Sequence, residues 1–211
     1  MENKNKFAAI AFSPGVRAAQ EHYGTRVQNE RLEAFDRFPD GLTEMEADFI
    51  AERDGFYMAT VIENGYPYVQ FRGGPAGFLK LLDAHTLGYA DFRGNLQYIS
   101  VGNLSRNDHV ALILMDYRNR RRLKIFARAE VRDAQDDPEL IEKLEVPSYR
   151  ARVERAVILH VEAFDWNCPQ HITQRFTADE IEIVNQPIYE HVETLEQEIA
   201  ELKARLQARD A

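Results

Sequence analysis

The sequence predicts a mainly β chain with added helices, in which hairpins build a small antiparallel barrel and one long helix follows at the C-terminal end. Three observations predict it. Asn64-Gly65 separates two β-branched and aromatic runs, the strongest short-range hairpin signal. A second pair of such runs, Val110 to Met115 and Leu123 to Val131, flanks the polar tip Asp116 to Arg122. Beyond residue 176 the pattern changes to apolar residues at helical spacing. No repeat or low-complexity tract interrupts the hairpins, which favours a small barrel over a parallel sheet.

Taken in order, Gly15 to Phe38 mixes charged and apolar residues and reads as helix and loop covering the barrel. Thr43-Glu44-Met45-Glu46 is a capping-box pattern: the Thr43 hydroxyl reaches the first turn and Glu46 reaches back, so a helix should run to about Arg53, with Asp54-Gly55 ending it. Phe56 to Ile62 and Tyr66 to Arg72 form the first hairpin. Phe78 to Leu82 and Thr86 to Tyr89 are short strands, and Leu96 to Ser105 has helical character. After the second hairpin, Asp136 to Leu144 suits a helix with Pro138 in its first turn, and Ala156 to Phe164 is the closing strand.

Composition bounds the chain. With 211 residues and 45% apolar content it can bury an ordinary core, and one domain (1–176) with a tail (177–211) is expected. No apolar run approaches the roughly 20 residues that span a bilayer, and the stretch after Met1 to Lys6 is too short for a signal peptide, so a soluble cytoplasmic protein without membrane partners is expected. One cysteine, Cys168, agrees with a reducing compartment. A net charge of -9 argues against nonspecific nucleic-acid binding, which draws its affinity from lysine and arginine.

The tail carries Ile188, Val192, Leu195, Ile199, Leu202 and Leu206 at spacings of 4, 3, 4, 3 and 4, the period of a coiled-coil seam. Val192 and Ile199 then occupy a positions and Leu195 and Leu202 d positions, the choice that favours parallel dimers. His191 with Glu196, Glu198 with Lys203 and Arg205 with Asp210 are the flanking g-to-e pairs. A single amphipathic helix packed on its own barrel is the competing reading. Thr177 to Glu180 caps the preceding turn, and Pro187 is expected to restart the helix at its first position.

The chemistry-bearing run is Tyr89-Ala90-Asp91-Phe92-Arg93-Gly94-Asn95, read as a phosphate loop between apolar segments. Arg93 offers a fork of N–H donors, Gly94 removes a side chain that would hold the backbone away from an anion, and Asn95 adds an amide. Arg72 ends a strand otherwise apolar on its inner face, so it must meet solvent, a carboxylate or a ligand phosphate; Gln70 shares its face. Gly73 to Gly77 lacks the following helix of a nucleotide fingerprint and reads as a tight turn. Asn103 either caps a helix or donates to a ligand. Cys168 and His171 stand at Cys-x-x-His spacing without a second pair of ligands, which disfavours a metal site. Arg118 to Lys124 is a basic hairpin tip, a solvated turn or a receiver of phosphates.

Together with Tyr68 to Pro75, Gly102 to Leu104 and Trp166-Asn167-Cys168-Pro169-Gln170-His171, this run resembles the flavin-binding split-barrel family related to pyridoxamine 5'-phosphate oxidase, over roughly positions 10 to 175. The resemblance implies a six-stranded antiparallel barrel that dimerises and binds FMN in clefts between subunits. It implies cofactor contacts from Gln70, Arg72, Asp91, Arg93, Gly94, Asn95 and Asn103. It also implies a rigid lid of Trp166, Asn167, Gln170 and His171 near the flavin, with Arg175 meeting an anionic group.

The oxidase itself carries Arg-x-Val-Leu-Leu-Lys on its second strand, Ser-Arg-Lys in its phosphate loop, and an Arg-Leu-x-Asp-Arg substrate grip after its tryptophan. Here the corresponding stretches read Tyr68 to Arg72, Phe92 to Asn95 and Asn167 to His171, so the cofactor and fold carry over but the substrate does not. An FMN-dependent oxidoreductase acting on an unidentified small molecule is implied. A flavin-binding or sensing module without turnover, and a split-barrel haem protein with His171 or His160 as axial ligand, stay open.

Overall fold

The computed structural model describes residues 5–34, 39–166 and 169–209. The chain forms two compact units, Met1–Asp116 with Arg120–His171, and Tyr117–Asn119 with Ile172–Ala211. The first is α+β. It opens with helices α1 (Lys6–Ala11), α2 (Pro14–His22) and α3 (Arg26–Glu33), followed by α4 (Glu44–Ala51). The strands are β1 (Gly55–Val61), β2 (Pro67–Gly73), β3 (Lys80–Asp83), β4 (Thr86–Phe92), β5 (His109–Asp116), β6 (Arg121–Asp133) and β7 (Val153–Trp166), with α5 (Ile99–Leu104) after β4 and α6 (Pro138–Leu144) after β6.

All pairings are antiparallel, in the order β2-β1-β5-β6-β7-β4-β3. The sheet therefore has seven strands where the family resemblance implies six. β3 is a four-residue strand that pairs with β4 through a tight turn in which Asp83 accepts the His85 N–H at 2.8 Å. The residue-by-residue reading of Phe78 to Leu82 already marks it.

Local signals act where they were read. Gly65 adopts φ 90° in the first hairpin turn, a conformation that favours glycine. Glu46 accepts the Thr43 N–H at 2.9 Å to close the α4 capping box, and Asp137 accepts the Leu140 N–H at 3.1 Å to start α6. Beneath the sheet Phe56, Met58, Phe78, Tyr89, Leu112, Leu114, Leu123, Ile125 and Leu159 form one buried core. Tyr89 stands edge-on to Phe56 at 5.4 Å between centroids and to Phe78 at 6.3 Å, an arrangement that suits the ring quadrupoles.

Two sequence expectations are corrected here. Tyr89 to Phe92 belong to β4 and not to a loop, because Tyr89, Ala90 and Asp91 are buried on both faces of the strand and pair with Val157, Ala156 and Arg155 of β7. The loop is confined to Arg93–Tyr98, and the helix expected over 96–105 shrinks to α5.

The second unit is dominated by α7 (Ala178–Arg209). Its start is a reciprocal box in which Thr177 N–H donates to Glu180 at 2.8 Å and Glu180 N–H donates to the Thr177 hydroxyl at 3.2 Å. Pro187 lies inside the helix and does not restart it. Proline's fixed φ is helical, so the helix continues past the one bond that the missing N–H cannot make. None of the residues described in α7 is buried.

Candidate functional site

The site grows from one buried acid. Asp91, near the end of β4 and 4% exposed, has a side chain that needs partners because an isolated buried carboxylate is costly. It receives two guanidinium groups: Arg72 Nη1 from β2 at 2.8 Å, and Arg155 Nη1 from β7 at 2.9 Å. Arg155 faces Asp91 directly in the β4–β7 register. Arg72, by contrast, comes from the first strand of the sheet order to meet the sixth, so the sheet curls until β2 and β4 touch through this pair. Burial pushes the Asp91 carboxyl above the ordinary carboxylate range, while the two arginines pull it downward.

Around this knot stands a second layer. Glu154 accepts Arg155 Nη2 at 2.6 Å and the Tyr98 hydroxyl at 3.4 Å, and Arg155 lies over the Tyr98 ring at 5.0 Å. Arg93, with its side chain 45% exposed, holds Glu154 only loosely at 3.7 Å. Gln70 accepts the Ser100 hydroxyl at 3.0 Å, tying β2 to α5. Two concavities flank the Arg72–Asp91 pair, one running toward Tyr98 and Ser100, the other toward Phe78 and Tyr149.

Three features of this region point to an anionic ligand. Arg72 Nε is buried and has no hydrogen-bond partner among the described residues. An unmet guanidinium donor costs free energy, so such a group calls for an acceptor. The three arginines outnumber the two acids among them, leaving an excess of positive charge. At Gly94 a Cβ would meet nothing within 4 Å and the backbone is not left-handed, so no contact within the chain demands glycine there. After it the loop is strained, with Leu96 at φ 64° and Tyr98 at φ 52°, conformations that non-glycine residues adopt at a cost of roughly 1–2 kcal/mol each.

Thus Gln70, Arg72, Asp91, Arg93, Gly94 and Asn95 come together. Asn95 accepts the Gln97 N–H at 3.1 Å and shapes the turn. Asn103 is buried and donates to the Thr60 hydroxyl at 2.9 Å, joining α5 to β1. Trp166 lies at the far end of β7, eleven residues from Arg155, which is roughly 36 Å along a strand. Its indole N–H donates to Glu46 at 2.6 Å, its ring meets Phe49 edge-on at 4.7 Å, and Arg121 stacks on it at 4.5 Å. Gln170 and His171 follow in an exposed turn, with His171 at φ 65°. Asn167 and Cys168 lie outside the described residues. In the second unit Arg175 stacks on Tyr117 at 5.0 Å, Gln174 donates to the Arg118 carbonyl at 2.7 Å, and Arg118 pairs with Glu180 at 3.6 Å. His160 is exposed and faces Glu130 at 3.4 Å.

Arg155, Glu154, Tyr98 and Ser100 were missed in the sequence. The signal for Arg155 was present in Asp91 itself: an acid inside a β-patterned run needs a cation across the ladder, and Glu154-Arg155 opens the closing strand.

The family model described as pyridoxamine 5'-phosphate oxidase (PNPOx_N) matches residues 42–167. No curated protein matches the chain. Among solved structures, HupZ of Group A Streptococcus aligns at TM-score 0.49 with 20% identity, over 64% of this chain and 99% of its own. A candidate pyridoxamine 5'-phosphate oxidase of Lactobacillus delbrueckii aligns at 0.47 with 25% identity, over 61% and 97%. An FMN-binding protein of Syntrophomonas wolfei aligns at 0.43 with 14% identity, over 73% and 97%.

Proposed function

The chain belongs to the pyridoxamine 5'-phosphate oxidase family, and from that premise we propose that it is an FMN-binding oxidoreductase. The observation that carries this reading is the buried Arg72 Nε, without a hydrogen-bond partner among the described residues, beside the open Arg93-Gly94-Asn95 loop. The donor set fits a flavin phosphate. Arg93 can leave its long contact with Glu154 and fork onto phosphate oxygens, while Gly94 lets the backbone approach them. Asp91 keeps Arg72 and Arg155 extended, so these cations are oriented before the anion arrives. Gln70, on the same face as Arg72, is placed to hydrogen-bond a ring edge. When bound, FMN supplies the redox chemistry.

The reading extends to a homodimeric split barrel over residues 1–176, with 177–211 as its tail. Two facts support pairing of subunits. The outer face of β1, β2 and β5 is apolar and exposed: Tyr57 stands opposite Phe71 and Ile113 in register, with Val69 and Val61 beside them. The Phe71 ring lies flat over Gly55 and Gly73, where Cβ atoms would stand 2.2 and 2.8 Å from it, which keeps that face smooth. Secondly, Trp166 and Arg155 lie at opposite ends of β7, so a flavin that met both, as the family resemblance implies, would draw them from two chains. Oxidation of pyridoxamine phosphate is not part of the proposal, because Asn167 to His171 replaces the substrate grip.

The absorbance spectrum of protein purified without added cofactor tests the reading. A flavin spectrum, with FMN released on denaturation, is expected. A Soret band would overturn it in favour of haem, and failure to take up added FMN would overturn it outright.

A further inference from the structure

We propose that α7 pairs, parallel and in register, with the same helix of a second copy of this chain. The continuity of α7 through Pro187 is what makes the case, because it lengthens the seam beyond the part visible from the sequence. Extending the heptads N-terminally puts Ile181 and Ile188 at d and Asn185 at a, so the seam runs for about four heptads, from Ile181 to Leu206. Pro187 falls at a c position on the outward side, where its ring meets no partner. Every apolar seam residue from Ile181 to Leu206 is exposed, Leu195 least at 43% and Ile188 most at 59%. A 32-residue helix with such a stripe exposed is marginal alone in water.

Composition and charge commit the occupant to a second copy. β-branched Val192 and Ile199 at a, with Leu195 and Leu202 at d, favour two parallel strands over the C-terminal heptads, and one polar a-position residue, Asn185, faces its own symmetry mate and fixes register. In that register His191 meets Glu196 of the partner subunit and Glu198 meets Lys203 of the partner subunit, while Val184 at g meets the partner's Tyr189 at e. The antiparallel pairing that overlaps the same heptads would set Ile181 beside Leu206 of the partner subunit and Asn185 against Leu202 of the partner subunit. A buried amide facing an apolar side chain instead of its own mate disfavours it.

Cysteine scanning on the full chain, in a Cys168→Ser background, tests the proposal. Leu202→Cys, at d, is expected to form a disulfide-linked dimer on mild oxidation, at least tenfold faster than Gln197→Cys at the outward f position. Equal rates, or no link at Leu202→Cys, would overturn it. So would a mixture of Asn185→Cys and Leu202→Cys chains that links mainly as the mixed dimer, the signature of antiparallel pairing over the same seam. A second readout does not depend on cysteine: Leu195→Asp with Ile199→Asp should remove the far-UV helical signal of the tail and leave the β signal. Unchanged helicity would overturn the proposal, and flavin absorbance of the same samples reports separately on the FMN site.

Discussion

Arg72 and Asp91 form a 2.8 Å ion pair that joins β2 to β4 across the curl of the sheet, and its energetics differ from those of a surface bridge. Both groups are largely withdrawn from water, so removing one leaves the other buried and uncompensated. Asp91→Ala strands Arg72 and Arg155 together and should cost about 3–5 kcal/mol. Urea denaturation measures it; a loss below about 1 kcal/mol would show that the knot is solvated. Arg72→Lys keeps the charge but not the fork, and should recover only part of what Arg72→Ala loses.

The same carboxyl sets a pH dependence. Because burial raises Asp91 above its ordinary value in the folded chain, the native state holds this proton more tightly than the unfolded one does. The stability so contributed is present below the unfolded pKa of about 3.9 and is lost as pH rises through the folded value. The stability difference between the native chain and Asp91→Asn should therefore shrink as pH rises above the unfolded pKa of about 3.9. A difference that grows over that window would place the folded pKa below the ordinary one.

Glu46 gives a third test. One oxygen accepts the Trp166 indole N–H at 2.6 Å and the other the Thr43 N–H at 2.9 Å, so a single buried carboxylate both starts α4 and fixes the end of β7. Glu46→Ala leaves both donors unmet and should cost roughly 2–4 kcal/mol. Trp166 is the only tryptophan, so its emission reports the change directly. An unshifted spectrum with unchanged stability would refute the link.

Much of this was legible because its causes are local. Asn64-Gly65, Thr43 with Glu46, Pro138 in a helix's first turn, and Thr177 with Glu180 each act within a few residues, and each appears in the structure where the sequence places it. What was illegible depends on distant chain. Asp91 looks like a loop residue until Arg155, 64 positions later, supplies the charge that lets an acid sit inside a strand. Trp166 gives no sign of its bond to Glu46, 120 positions earlier. Pro187 reads as a helix start because proline's ordinary preference is the first turn, and only the periodic seam on both sides of it argues for continuity.

The last prediction separates ligand binding from folding within the Arg93–Tyr98 loop. Among the described residues nothing lies within 4 Å of where a Gly94 Cβ would stand, and the backbone there is not left-handed, so Gly94→Ala should leave stability unchanged or raise it by about 0.4–1 kcal/mol through the unfolded state. If the glycine is there to let the backbone reach a phosphate, the same change should weaken FMN binding. Arg93→Ala should act in parallel: its contact with Glu154 is long and half-exposed, so folding should barely notice. A charge-assisted bond to phosphate, however, is worth about 1.5–3 kcal/mol, roughly ten- to a hundredfold in affinity. Because the loop offers one compact anion site and the chain lacks a dinucleotide fingerprint, FMN should also bind more tightly than FAD. Calorimetric titration of both flavins into the two variants, beside their thermal denaturation, checks all of this on the same samples. Full affinity in both variants would move the phosphate away from this loop, whereas affinity lost together with stability would make the loop a structural element only.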